Sequence, residues 1–137
     1  MSRLVMAPFA AAGLALEALG VAALVGWQIV ALATGDTAST VSAVALAVLT
    51  AIGAVGLGAF AVAVHRGSSM ARSGGIVAQV LILAVALGAA TGEYAHPLTA
   101  AAIAVPAVVE LVLLIVTAGQ AARLAAADDD AAADDSA

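Results

Sequence analysis

Four long apolar runs, separated by polar breaks of a few residues, constrain this chain more than anything else in it. Residues 8–34 are interrupted only by Glu17 and Gln28, 41–64 carry no charge, and 72–91 and 98–124 follow the same pattern. Each reaches or exceeds the roughly 20 residues that carry a helix across a bilayer core. The breaks are rich in turn formers and charge: Gly35-Asp36-Thr37-Ala38-Ser39-Thr40, His65-Arg66-Gly67-Ser68-Ser69 and Gly92-Glu93-Tyr94-Ala95-His96-Pro97. Membrane barrel strands would be about ten residues long with alternating polarity, and these runs do not alternate. The first run is also longer than the 7–15 residues of a signal-peptide core, so it is expected to stay as an uncleaved helix. Breaks this short make consecutive helices antiparallel neighbours. The predicted fold is therefore all-α: a four-transmembrane-helix, antiparallel up-down-up-down bundle over residues 1–125, followed by a disordered acidic cytoplasmic tail over 126–137.

Composition agrees. The apolar fraction is 65%, against about 45–50% in soluble domains. Charged residues make up 9%, too few to cover a water-soluble surface. The net charge of −5 comes from the end of the chain, where Asp128, Asp129, Asp130, Asp134 and Asp135 lie. Without them the arginines balance Glu17, Asp36, Glu93 and Glu110, so nothing in the charge suggests a nucleic-acid partner. Alternating Ala and Asp runs bury too little apolar surface to fold, which makes the tail a solvated segment. Short cytoplasmic loops retain positive residues. Arg3, Arg66, Arg72 and Arg123 all fall at one end of the predicted bundle. That places both termini and the central loop in the cytoplasm, Asp36 and Glu93 outside, and the chain in the plasma (inner) membrane as a multi-pass protein.

Residues seven or eleven apart return to nearly the same helix face. Glu17 and Gln28 share a stripe on the first span, Arg72 and Gln79 on the third, and Thr99, Glu110 and Thr117 on the fourth. These stripes are expected to converge in the interior. Glu17 and Glu110 stand out, because an acid near the middle of a membrane helix costs roughly 2.5–3.5 kcal/mol on insertion scales unless something compensates it. Pro106 adds a local polar site on the fourth span by leaving the Ala102 carbonyl without its helical donor. The candidate intramembrane polar or proton-binding residues are Glu17, Glu110, Gln79, Arg72 and Gln28. Two uses are open to them: hydrogen-bonded glue between helices, or a carboxyl that alternates between a proton and a cationic or amphipathic substrate.

Other chemistries find little support. The chain has no Cys, which removes thiol nucleophiles and thiolate metal sites. Glu93 and His96 are too few for a metal centre. Trp27, Tyr94 and His96 read as interfacial anchors. No phosphate loop or nucleophile elbow occurs. No cofactor, metal or enzymatic activity is expected. Ala22-x-x-x-Gly26, Ala54-x-x-x-Gly58 and the pair Gly13 and Gly20 flanking Glu17 supply small faces for close helix packing.

Leu16-Glu17-Ala18-Leu19, together with Ala71-Arg72-Ser73 and Gln79-Val80-Leu81, resembles a group of small four-helix actinobacterial integral membrane proteins without an assigned activity. Their usual Pro after the Ser is replaced here by Gly74. The resemblance implies a membrane-embedded bundle and no substrate. Leu16-Glu17-Ala18-Leu19-Gly20 is also similar to the first helix of small multidrug resistance transporters. That likeness stops at Glu17 and Gly20, since the third span lacks their Tyr and Trp. The leading expectation is a non-enzymatic accessory or interaction subunit. The alternative is a proton-coupled small-molecule transporter using Glu17 and/or Glu110. Expected partners are the lipid bilayer and either a second copy of the chain or a larger membrane complex.

Overall fold

Capping chemistry carried by the breaks sets where the helices end. The computed structural model describes residues 5–91 and 95–135, the last two by backbone alone. Four helices follow one another: α1 (Ala7–Thr34), α2 (Thr40–His65), α3 (Ser69–Thr91) and α4 (Pro97–Asp135). Gly35 closes α1 at φ +73°, with its N–H on the Leu32 carbonyl at 3.3 Å and the Asp36 N–H on Ala31 at 3.0 Å. Gly67 closes α2 the same way at φ +81°, with bonds from Gly67 to Val64 at 2.9 Å and from Ser68 to Ala63 at 3.0 Å. This paired bonding satisfies the last carbonyls of a helix and needs a left-handed residue, which glycine supplies without a Cβ penalty. Ser39 Oγ accepts from the Ser42 N–H and Ser68 Oγ from the Ala71 N–H, so a serine opens each of the two following helices. Pro8 and Pro97 sit in first turns, where a missing N–H costs nothing.

All four helices are long and apolar enough to cross a membrane, as a multi-pass membrane protein requires. Most of their large apolar side chains point outward, among them Leu16, Leu49, Val55, Leu81 and Val109. In water such a surface would drive aggregation, and in lipid it is the surface that faces acyl chains. Two boundaries differ from expectation. α3 begins at Ser69, because Ser68 caps it, so Arg72 lies one turn inside the helix. α4 does not end near Leu124 in a disordered tail but runs on to Asp135. The extension has no core to bury. Its Ala residues have the best intrinsic helix propensity, and helix propagates readily from a preformed end. Arg3, Glu93 and Tyr94 lie outside the described residues.

The helices close a ring in chain order: α1 packs on α2 and α4, and α3 on α4 and α2. The core is lopsided along this ring. Ala10, Leu14, Leu57, Ala61, Val64, Ala71 and Leu114 form one buried cluster. It gathers residues from the start of α1, the end of α2, the start of α3 and the middle of α4. Helices this rich in Ala approach closely, and dispersion between them supplies the cohesion that lipid exclusion cannot. At Gly75 a Cβ would lie 3.0 Å from the Leu114 side chain and 3.7 Å from Leu14, which measures how tightly three helices meet there.

Candidate functional site

One turn beyond that contact, the polar side chains begin. Gln79 follows Gly75 on α3, Glu110 precedes Leu114 on α4, and Glu17 stands just beyond Leu14 on α1. Gln79 is fully buried and Glu110 is 2% exposed. Gln79 Nε2 donates to Glu17 Oε2 at 2.5 Å, tying α3 to α1. Glu110 reaches across from α4 and lays its carboxyl against Gly13, where any Cβ would overlap it. Gly13 and Glu17 are one turn apart on one face of α1, so both carboxyls occupy adjacent turns, close enough to interact electrostatically. Three of the predicted polar residues therefore meet in the interior.

The other two do not join them. Arg72 is buried, but its Nη1 donates to the Gly67 carbonyl at 2.9 Å, bracing the α2–α3 turn. It pairs with neither acid, contrary to the expectation that its stripe converges with theirs. Gln28 Nε2 donates to Thr50 Oγ1 at 3.2 Å, so this glutamine binds α1 to α2 about three turns away from Glu17. Thr117 is buried on the Glu110 stripe and gives its hydroxyl to the Leu113 carbonyl of its own helix at 2.7 Å. Thr99 is exposed. A third bond between helices escaped sequence reasoning: the Met6 N–H donates to Gln120 Oε1 at 3.3 Å and ties the start of α1 to α4.

Two oxygens of the cluster, Glu110 Oε1 and Gln79 Oε1, are buried without a hydrogen-bond partner. Burying an acceptor unpaired costs on the order of 1–3 kcal/mol, so the cluster holds unused acceptor capacity in its interior. Glu17 differs from both, being only partly buried. It lines an outward-open cleft of about 490 Å³ to which every helix contributes: Glu17 and the exposed Gly20 and Leu24 from α1, Leu57 from α2, Ile82 from α3, and the exposed Ala102 and Pro106 from α4. That volume is in the range of small-molecule sites, roughly 300–1,000 Å³. Among its lining residues Glu17 is the only one with a polar side chain. The sequence signals Glu17 and Pro106. It gives no sign of Leu57 or Ile82, since an apolar residue on a cavity wall looks like any other apolar residue.

Among the described residues no group of three or more His, Cys, Asp or Glu is placed to hold a metal ion. His96, immediately before α4, and Trp27, two turns before the end of α1, are exposed. Comparison with known proteins found no matching family model, curated protein or solved structure.

Proposed function

We propose that the chain is a small, non-enzymatic, multi-pass protein of the plasma (inner) membrane that binds a small molecule beside Glu17 in exchange for a proton, as a proton-coupled transporter does. The observation that carries this reading is the placement of Glu17 as the one acid lining a cavity shared by all four helices. An ionisable residue inside a membrane bundle marks a substrate or proton path by default. Here it has one oxygen held by Gln79 and an open apolar cleft beside it. Glu110, sealed against Gly13, is the second acid of the pair.

The topology that goes with this is up-down-up-down with both termini inside. The pairings Gln28 with Thr50 and Ala18 with Gly58 support opposite senses for α1 and α2. The placing of Arg66 and Arg72 at the α2–α3 turn, with Asp36 at the α1–α2 turn, supports the orientation. The acidic extension of α4 then lies in the cytoplasm. Four short helices leave the Glu17 cleft open on its outer side, so a second copy of the chain or a larger complex is the expected assembly.

A second reading, the accessory or interaction subunit, is favoured by the bonds Gln28–Thr50 and Met6–Gln120, which spend polar groups on holding helices together. Proton release separates the two. Purified protein in detergent is titrated with a panel of lipophilic cations, and the wild type is compared with Glu17→Gln and Glu110→Gln. Release that disappears in Glu17→Gln is the expected result. No release from folded protein at any pH would leave the accessory role standing and end the coupled one.

A further inference from the structure

We propose that Glu110 is held as a neutral carboxylic acid that donates its O–H to Gln79 Oε1, and that this bond keeps the Gln79 amide turned with Nε2 toward Glu17. Glu110 is then a positioning residue, and Glu17 alone exchanges a proton. The proposal divides the two acids of the reading above and rests on that reading only for what Glu17 does.

Helix register places the two groups together. Gly75 on α3 meets Leu114 on α4, and farther along Leu83 and Leu87 line one cleft with Ala104 and Ala100. An antiparallel pair through both contacts sets Gln79, one turn after Gly75, level with Glu110, one turn before Leu114. Both side chains are buried, so both turn into the interior. There the Glu110 carboxyl lies against Gly13, and the Gln79 amide reaches Glu17 one turn along the same helix. Each keeps its Oε1 buried and unpartnered. Two acceptors cannot satisfy each other, whereas one hydrogen between them satisfies both. A carboxyl can carry that hydrogen and an amide oxygen cannot, so it belongs to Glu110.

The surroundings speak against the ionised form. A buried carboxylate needs a cation or several donors. Glu110 on α4 packs against α1 and α3. From α1 it faces Glu17, another acid. From α3 it faces Gln79, whose Nε2 is engaged by Glu17, while the Arg72 guanidinium is engaged by the Gly67 carbonyl. His65 and Arg66 are exposed at the end of α2, and Arg123 is exposed about three and a half turns farther along α4. The Thr117 hydroxyl is given to Leu113. With its oxygen held by the acid, the Gln79 amide cannot turn over, and its N–H stays on Glu17 whether that residue is charged or protonated.

The test is the infrared spectrum of the full-length chain in lipid nanodiscs at about pH 8, far above the usual range of a free Glu. The wild type is expected to show a protonated-carboxyl stretch that Glu110→Gln removes and Glu17→Gln keeps. Gln79→Leu takes away the acceptor and should shift the band. Glu110→Gln offers an N–H where the O–H was, so its unfolding midpoint should stay near that of the wild type. Glu110→Leu leaves Gln79 Oε1 bare and should lower the midpoint. If Glu110→Leu does not fold, the band decides. A folded wild type without the band, a band that survives Glu110→Gln, or a band that Gln79→Leu leaves unmoved overturns the assignment. Titration with lipophilic cations reads Glu17 separately. The band without proton release keeps the Glu110 assignment and ends coupling at Glu17, and release without the band does the reverse.

Discussion

Gly13 and Gly20 flank Glu17 on one helix, look interchangeable in the sequence, and do opposite things. Gly13 is a seat: its missing side chain is the space taken by the Glu110 carboxyl. Gly20 is a gap: it lies exposed on the wall of the open cleft, where a Cβ would meet nothing within 4 Å. The difference divides the bundle. On the Gly13 side, Leu14, Val64 and Leu114 are fully buried and the helices meet across methyl groups. On the Gly20 side, Val21, Ile82 and Val85 border empty volume. Small residues in membrane helices are usually read as a licence for close approach. Here the same residue type makes contact in one half and room in the other, and only the partner helix distinguishes them.

The division is most directly broken at Gly13. Gly13→Ala places a methyl group where the Glu110 carboxyl lies, and overpacking of this kind costs about 1–3 kcal/mol. Displacing a buried carboxyl from its seat puts the expected loss at the upper end, about 3 kcal/mol. The double variant Gly13→Ala with Glu110→Ala should recover a large share of it, because the clash then has no second partner. Unfolding in mixed detergent micelles measures both. Additive losses would mean that Gly13 and Glu110 do not share a site.

A smaller pair of effects sharpens the contrast in packing. Leu114→Ala removes a fully buried side chain from the closed half and should cost about 2 kcal/mol, the low end for a Leu cavity because lipid offers no water to avoid. Val85→Ala trims a wall that already borders space and should cost under about 1 kcal/mol. Equal losses would show that the cavity is filled in the membrane. The hydrogen bonds follow the same order. Gln79→Leu takes away the partner of Glu17 and is expected to cost about 1–2 kcal/mol. Gln28→Leu gives up an ordinary interhelical bond worth about 0.6 kcal/mol.

Run lengths and break chemistry made the four helices legible, and the ends of α1 and α2 to within a residue, because membrane spanning and glycine capping are local requirements written in composition. The meeting of Glu17, Gln79 and Glu110 was legible from seven-residue spacing, since polar groups on one stripe have to face inward. Arg72 was misplaced for an equally local reason. It lies two turns before Gln79 on that stripe, but the open carbonyl of Gly67 at the neighbouring turn is nearer than either acid and captures the guanidinium. Gln28 was expected to converge with the other polar stripes and instead bonds Thr50, because spacing along one helix says nothing about which residue of α2 comes opposite. The extended α4 was missed because acidic composition argues against a core, while helix needs no core when alanine carries it. The cavity had no sequence signal, being a property of how four apolar faces fail to meet.

The smallest expected effect is at Gly20. Gly20→Ala adds a methyl group that touches nothing, so no packing is gained and none is disturbed. The helix itself gains, since alanine is favoured over glycine in a helix interior by up to about 1 kcal/mol. That preference is measured in water, and a membrane already forces every residue of α1 into helix by denying its backbone any other donor or acceptor. Most of the propensity difference is therefore absent from the unfolding equilibrium, and the predicted change is within about 0.5 kcal/mol, on the stabilising side. The same methyl group at Gly13 costs several times as much and has the opposite sign. If Gly20→Ala proves as damaging as Gly13→Ala, the cleft is closed by a neighbour in the membrane, and the two halves of the bundle are alike.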